Sequence, residues 1–388
     1  MNKPGDEINR CDGPRIMGGM FGLPVELDAS GTLPPFVSDR AVYMANGRCC
    51  LVLLIELLSP ARVWLPAYLC PSIIAAVRKT GVPICFYEID YNLRALPGFI
   101  SGVRRGDLVE VIDYFGFRAS EQVMHHARES GAWLLEDACQ AMLTEGVGTN
   151  ADFTLFTPRK FVGVPDGGIL VSNREEIDFK DIPLEPPPSP WWMKVLSAAV
   201  LRGEFDLYGG SRRWFELYRE IEEDMPMGRY AMSDLSRTLL NTAFDYASIA
   251  RRRVENYQVL AGELSHLALY PGLASGVVPL GFPVRLANRD EVLKKLYEHD
   301  IFPPVHWPFR GGLPEKFRES YRLLGDIMML PCDQRYDRED MLRMAGLVLP
   351  DAVPAKAHAG RRKSDRREGE REGARAAPGA PAQRPEAA

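Results

Sequence analysis

The stretch Trp133-Leu134-Leu135-Glu136-Asp137 decides the fold, because its apolar run has the length and composition of a buried strand. Similar short runs alternate with helical segments in this part of the chain. Candidate strands cover 62–66, 84–87, 108–114, 133–136 and 169–171, and candidate helices cover 71–79 and 120–130. Continuous apolar strands interleaved with helices favour a parallel or mixed sheet covered on both faces. The predicted fold class is therefore α/β.

Two side chains near predicted strand ends indicate the chemistry. Asp137 closes the apolar run, and Lys160 lies just before the glycine pair Gly167-Gly168. Ligands of such sheets bind beyond the carboxyl ends of the strands, so both side chains are expected to reach one site. A lysine amine can bind the aldehyde of pyridoxal phosphate (PLP), and a carboxylate can keep the pyridine nitrogen protonated so that the ring accepts electrons. The pattern predicts a PLP-dependent enzyme.

Composition excludes several other classes of protein. The net charge of −5 without a basic stripe argues against nucleic acid as a partner. The seven cysteines include no CxxC pair and no His/Cys cluster at ligand spacing, which favours reduced thiols in the cytoplasm and no metal site. The polar start and the lack of about 20 consecutive apolar residues predict neither a signal peptide nor a transmembrane segment.

The chain length predicts several parts. We expect an N-terminal arm over 1–40, a PLP-binding large domain over 41–240, a small C-terminal α+β domain over 241–350 and a disordered tail over 351–388. Apolar residues recur at helical spacing from Leu240 to Leu264, which predicts one long helix between the two domains. The small domain would hold a strand over 281–285 and helices over 290–299 and 338–347.

The segments Glu136-Asp137-Ala138-Cys139-Gln140-Ala141 and 160–168 resemble the DegT/DnrJ/StrS-type sugar aminotransferases of fold type I, from about Gly47 to Val348. That family typically shows E-D-A-A-Q, then S-F-x-x-x-K and a short loop ending in E-G-G. Asp166 replaces the usual glutamate here. The resemblance implies an α/β/α large domain with a mainly parallel sheet, PLP as cofactor, and amino transfer from a donor such as glutamate to a keto-sugar. A nucleotide-linked sugar in polysaccharide or glycan synthesis is the expected substrate.

The resemblance also implies roles for single residues. Asp137 would pair with the pyridine nitrogen, and Gln140 would face the ring near its phenolic oxygen. Lys160 would hold the cofactor and then move the proton. The turn that binds the cofactor phosphate falls on Gly47-Arg48-Cys49, before a predicted helix over 50–57. A helix N-terminus suits a phosphate, and the Arg48 guanidinium could bind it directly.

Two family positions carry unsuitable residues. The serine that binds phosphate falls on Leu155, so we assign that role to Thr157, at the T-x-x-K spacing of other fold-type-I enzymes. The aromatic residue that stacks on the ring falls on Cys70, and Tyr68 is the nearby substitute.

The resemblance further implies a homodimer with a shared active site. The asparagine that reaches the neighbouring subunit's phosphate falls near Arg229. His306 falls in the family's segment at the substrate mouth. The chain is longer than the family norm between Gly168 and Tyr230, and the extra residues, mainly 183–226, are expected to reshape the entrance for the substrate.

Alternatives stay open at this point. Some relatives remove a sugar hydroxyl instead of transferring an amine, generally with a histidine in place of the lysine, so another PLP-dependent sugar reaction is one alternative. The altered phosphate and stacking positions also fit a degenerate homologue that acts as an interaction subunit. Each candidate residue has an ordinary interpretation too, such as a turn residue for Asp137 or a structural histidine for His306.

Overall fold

The computed structural model describes residues 15–24, 34, 36–96, 102–307 and 313–355. Its strands are β1 (Met17–Gly18), β2 (Ala41–Met44), β3 (Val63–Pro66), β4 (Ile84–Tyr87), β5 (Leu108–Ile112), β6 (Trp133–Asp137), β7 (Phe153–Phe156), β8 (Gly168–Ser172), β9 (Phe282–Arg285), β10 (Ile301–Phe302) and β11 (Ile327–Leu330). Its helices are α1 (Gly47–Leu58), α2 (Pro71–Thr80), α3 (Glu121–Glu129), α4 (Ser189–Tyr208), α5 (Arg213–Glu223), α6 (Asp234–Thr242), α7 (Tyr246–Leu264), α8 (Arg289–Glu298), α9 (Arg318–Asp326) and α10 (Arg338–Val348).

A seven-stranded sheet in the order β2-β8-β7-β6-β5-β3-β4 forms the centre of the fold. Strands β3 to β7 are mutually parallel, while β8 runs antiparallel to β7, and β2 antiparallel to β8. The central strands β5 and β7 are buried along their whole length, and β6 is buried after Trp133, which explains their apolar runs. The predicted α/β fold with a mainly parallel sheet is confirmed.

Helix α1 lies in the core, where it contacts the sheet and α2, and its residues 49–55 are all buried. Asn46 caps its N-terminus by accepting a hydrogen bond from the Cys49 N–H at 3.0 Å. Gly168 makes room for this cap, because a Cβ at that position would lie 2.3 Å from the Asn46 carbonyl carbon. The glycine pair after Lys160 therefore sets how closely α1 approaches the sheet.

The single long helix predicted from Leu240 to Leu264 is wrong. The chain forms α6 and α7, with a break over 243–245. Asp245 causes the new start, because its side chain accepts a hydrogen bond from the Ser248 N–H at 3.0 Å. The apolar spacing continues through the break, so periodicity alone did not reveal it.

A second hydrophobic cluster is built around the antiparallel pair β9–β11 and the helices α7, α8 and α10. Met17 of β1 is fully buried in it, and β1 pairs in parallel with β10. Part of the predicted N-terminal arm is therefore a strand. The boundaries 41–240 and 241–350 stay predictions.

The prediction of a disordered tail places the start of that tail, at residue 351, too early. Residues 351–355 are described, and the N–H of Ala355 donates a hydrogen bond to the Arg285 carbonyl at 3.2 Å. Pro354 also forms a bridge with Leu286. The residues 356–388 of that prediction lie outside the described residues.

The extra residues between the sheet and α6 form the helices α4 and α5, which pack against each other. Trp191, Val195 and Ala198 are buried on α4, as expected for a packed helix. Among the helices that the structure describes, none combines the length and apolar character needed to cross a membrane.

Candidate active site

A cavity of about 920 Å³ opens at the carboxyl ends of the parallel strands. Asp137 at the end of β6, Thr157 just after β7, Lys160 and Gln140 all line it, as does His306 from the segment after β10. The structure therefore brings together five residues that the sequence placed in one site. Its location agrees with the rule that ligands of open α/β sheets bind beyond the strand ends.

Asp137 is held rigidly because it is the last residue of β6 and is only 6% exposed. One of its carboxylate oxygens accepts a hydrogen bond from the Cys139 N–H at 2.9 Å. The Gln140 side-chain carbonyl accepts from the Phe115 N–H at 2.7 Å, which leaves its amide N–H groups for a ligand.

Lys160 ends a single 3-10 turn, Pro158–Lys160, in which its N–H donates to the Thr157 carbonyl at 3.2 Å. Its side chain is exposed within the cavity. No hydrogen-bond or ion-pair partner for its ammonium group exists among the residues that the structure describes. Such a group is available to react with a ligand.

Thr157 has an unsatisfied polar atom. Its hydroxyl oxygen is buried without a hydrogen-bond partner in the described part of the chain, although the weakly polar Cys139 thiol lies nearby. Gly47 sits against it, since a Cβ on Gly47 would lie 2.9 Å from the Thr157 Cγ2. A buried hydroxyl without a partner is costly, so this position suits a ligand that accepts its hydrogen bond.

The predicted phosphate turn is only partly at the cavity. Gly47 and Arg48 line it, but Cys49 does not. Cys49 is fully buried, its N–H is used by the Asn46 cap, and its thiol donates to the Pro226 carbonyl at 3.3 Å. The Cys49 N–H is therefore committed to capping α1, and the prediction that it binds phosphate is not supported.

Tyr68 is also placed differently from the prediction. It is fully buried outside the cavity lining, where its hydroxyl donates a hydrogen bond to the His306 carbonyl. Its ring lies 5.5 Å from that of Tyr114 and 5.4 Å from that of Trp307. Tyr68 therefore supports the wall behind His306, while Cys70, the family-matched position, lines the cavity.

Arg229 is exposed and pairs with Glu56 at 3.2 Å, away from the cavity of its own chain. Its predicted role in a neighbouring subunit's site stays a prediction, because that role concerns a second chain.

His306 is a neutral histidine in the cavity wall. Burial, and then the positive charge of Lys160, lower its pKa to about 3. Its Nδ1 is buried without a hydrogen-bond partner in the described part of the chain. Its ring packs edge-on against Phe115, with centroids 5.6 Å apart. At neutral pH it can accept or donate a hydrogen bond but carries no charge.

The cavity residues that were not predicted individually include Arg159, Tyr218 and Glu222. Glu222 of α5 contacts both Arg48, at 3.3 Å, and Arg159, at 3.2 Å. Arg159 could have been suspected because it directly precedes Lys160. The two α5 residues lie in the extension 183–226, which the sequence predicted to reshape the entrance, but no signal singled out these positions within it.

A buried acid lies behind the cavity. Glu110 of β5 is fully buried, and neither of its carboxyl oxygens has a partner among the described residues. Burial and then the nearby charge of Asp137 raise its pKa well above the usual value. A protonated Glu110 leaves this part of the sheet with less negative charge. Within the described ranges, no cluster of three His, Cys, Asp or Glu side chains is placed to hold a metal ion.

Comparison with solved structures identifies the architecture. DesV of S. venezuelae, solved with a ketimine intermediate, has a TM-score of 0.59 at 18% identity over 81% of this chain and 85% of that one. The chain has the aminotransferase fold. A DegT DnrJ EryC1 StrS aminotransferase from Brucella abortus gives 0.54 at 15% identity, over 79% and 84% of the two chains.

DesI, solved in the presence of its TDP-sugar product, shares the aminotransferase fold with a TM-score of 0.54 and 19% identity, over 79% of each chain. Other proteins with this fold were solved in PLP form and with bound pyridoxamine phosphate. No protein-family model matches the sequence, and no curated protein does. The resemblance drawn from the sequence is thus confirmed at the level of the fold.

Proposed function

We propose that the protein is a PLP-dependent aminotransferase that transfers an amino group from glutamate to a nucleotide-linked keto-sugar in polysaccharide or glycan synthesis. The observation that carries this proposal is the meeting of Asp137, Thr157 and Lys160 around one cavity at the strand ends. A buried carboxylate, an unpartnered hydroxyl and an unpaired amine are the three groups that the pyridine nitrogen, the phosphate and the aldehyde of PLP require.

The cavity residues fit this cofactor. The Thr157 hydroxyl lacks a partner that a phosphate oxygen would supply, and Gly47 removes the side chain that would crowd the same spot. Asp137 would hold the protonated pyridine nitrogen, and the Gln140 amide would reach the phenolic oxygen. PLP supplies an electron sink that stabilises a carbanion next to its imine carbon.

Lys160 is the best candidate for the proton transfers that the reaction needs. Its amine has no partner among the described residues and lines the same cavity as Asp137 and Thr157. His306 lines the same cavity, but a pKa of about 3 makes it a weak base at neutral pH. We therefore assign proton transfer to Lys160 and substrate contact through hydrogen bonds to His306.

The substrate class rests on the size of the cavity and on the structural relatives. A cavity of about 920 Å³ leaves room for a sugar beside a cofactor. DesI, which has the same fold, was solved with its TDP-sugar product. We propose a sugar carried by a nucleotide as the amino acceptor.

We also propose that the enzyme works in the cytoplasm as a homodimer in which Arg229 reaches the partner's site. The exposed position of Arg229 outside its own cavity supports this arrangement. The mass in solution, measured by light scattering, tests the dimer. Restored activity in a mixture of Lys160→Ala and Arg229→Ala subunits tests the sharing, and a mixture as inactive as its parents refutes it.

The absorbance spectrum of the purified protein with PLP tests the enzyme assignment. We expect a near-visible band that glutamate shifts to the pyridoxamine form and that a keto-sugar restores. Lys160→Ala should abolish the band, whereas Lys194→Ala, a lysine of α4 paired with Glu220 and Asp224 on the surface, should keep it.

Two results would contradict the proposal. A PLP band that does not change with glutamate points to a different PLP reaction. A protein that stays colourless and gains no thermal stability from PLP points to a non-catalytic homologue.

A further inference from the structure

Glu222 forms an ion triad inside the cavity with Arg48 and Arg159. Its two carboxylate oxygens face different partners, with Oε2 at 3.3 Å from Arg48 and Oε1 at 3.2 Å from Arg159. Arg48 also donates to the Glu222 backbone carbonyl at 3.2 Å. The two guanidinium groups therefore converge on one carboxylate, beside the N-terminus of α1.

The charges of the triad do not balance. Within the triad, two guanidinium groups and one carboxylate sum to one positive charge, and the buried Asp166 is the next acidic group near Arg159. The contacts are also long for charged hydrogen bonds, which typically span about 2.7–2.9 Å. By contrast, Asp333 accepts from Arg335 at 2.9 Å on each of its oxygens. Glu222 is thus a loosely held counter-ion and not part of an optimised pair.

Both helices place these charges at unfavourable ends. Arg48 lies in the first turn of α1, where the helix dipole favours a negative group, and Glu222 lies in the last turn of α5, where it favours a positive one. Neither charge therefore stabilises its own helix through the dipole. An anion bound by Arg48 next to the α1 N-terminus would satisfy both the side chain and the dipole.

The Glu222 side chain is also not enclosed by its neighbours. It is 35% exposed, and it sits on a helix that comes from the extension rather than from the sheet. The α5 ring of Tyr218 lines the cavity beside it, and its pKa is raised to about 12 by burial and then by the charge of Glu222. The neutral Tyr218 adds no charge of its own to the triad.

We propose that Arg48 and Arg159 form a binding site for a phosphate group, and that Glu222 occupies this site as an internal counter-ion that leaves when the phosphate enters. The identity of the phosphate, either on the cofactor or on the substrate, rests on the proposed function. The extension would thereby make access to the anion site depend on the position of α5.

Inorganic phosphate is the direct probe of this site. Removal of the Glu222 charge in Glu222→Gln should tighten phosphate binding by about tenfold, a change of about 1.4 kcal/mol, because repulsion between the carboxylate and phosphate disappears. Calorimetric titration at constant ionic strength measures the affinity. Glu220→Gln is the matched control on the same helix, since Glu220 pairs with Lys194 at the surface.

Arg159→Gln in the Glu222→Gln background separates the site from a general charge effect. We expect this double variant to lose the gain in phosphate affinity. Unchanged or weaker phosphate binding in Glu222→Gln, or a gain that survives the loss of Arg159, would overturn the proposal.

Comparison of PLP, pyridoxal and uridine diphosphate as ligands shows whether the site binds the cofactor phosphate or a substrate phosphate. A gain in Glu222→Gln for PLP but not for pyridoxal assigns the site to the cofactor phosphate. A gain for uridine diphosphate on the PLP-loaded protein, without one for PLP, assigns it to the substrate. No gain for either ligand contradicts the proposal.

Failure of the proposed function can be distinguished from failure of the proposed anion site. If the protein never binds PLP but Glu222→Gln still gains affinity for inorganic phosphate, the proposed function fails and the anion site stands. If the PLP band forms normally and inorganic phosphate binds equally to both proteins, the anion site fails and the proposed function stands.

Discussion

The two sides of the cavity are built in different ways. Asp137, Gln140, Thr157 and Lys160 form a sheet-edge wall, fixed at or just beyond the ends of buried strands. Tyr218, Glu222 and His306 form a covering wall, which comes from α5 and from the segment after β10. Groups that do chemistry need the precision of a rigid scaffold, while groups on added segments can vary with the ligand. We infer that the sheet-edge wall defines the reaction and that the covering wall defines which ligands can enter the cavity.

The largest effect is expected on the sheet-edge wall. Asp137→Asn keeps the shape of the side chain but removes its charge, so the pyridine nitrogen would lose its anionic partner. We expect kcat to fall by about a hundredfold or more, the usual consequence of losing one preorganised electrostatic group. Steady-state kinetics with glutamate and a keto-sugar measure it. Asp178→Asn, at an exposed position, is the control, and an Asp137→Asn enzyme within twofold of the wild type would refute the role.

A smaller effect is expected for Thr157→Val, at the phosphate end of the same wall. Loss of a hydrogen bond to a charged phosphate should weaken PLP binding by about ten- to a hundredfold, measured by absorbance titration. The unliganded protein should be no less stable, because the lost hydroxyl has no partner among the described residues.

Thr154→Val is the matched control for that measurement. Thr154 also has a buried, unpartnered hydroxyl within the described part of the chain, but it lies on β7 away from the cavity. An equal loss of PLP affinity in both variants would show that Thr157 acts only through packing.

A third effect concerns the covering wall, acts on stability and not on catalysis, and depends on pH. The unfolded chain binds a proton on this histidine below about pH 6.5, whereas folded His306 does so only at about pH 3. His306 therefore makes the free energy of unfolding fall as the pH drops between these values, by up to about 1.4 kcal/mol per pH unit. In His306→Gln, the free energy of unfolding should fall less steeply between pH 6 and 4, by up to that amount per pH unit.

Chemical denaturation at several pH values measures this slope. His125→Gln is the control, because His125 is exposed and pairs only with Glu129 on the surface of α3. A slope in His306→Gln equal to that of the wild type would show that His306 is not kept neutral by the fold.

The strands and the sheet-edge wall could be predicted because both depend on local patterns. Unbroken apolar runs indicated the parallel strands, and the spacing from Asp137 to Lys160 indicated which strand ends meet. The failures involve groups whose role is set by distant partners. The Cys49 thiol is held by the Pro226 carbonyl, 177 positions away, and Tyr68 is held by a carbonyl more than two hundred residues away. Glu222 lies on a helix for which the sequence offered no known counterpart.

The pairing of β1 with β10 affects the order in which the chain can fold during its synthesis. The hydrogen bond from the Gly18 N–H to the Tyr336 hydroxyl joins residues 318 positions apart. At a synthesis rate of about 5–20 residues per second, the first strand waits about 15 to 60 seconds on the ribosome before its neighbours emerge. Strand β1, which is synthesised before the other strands described, is therefore among the last of them to pair.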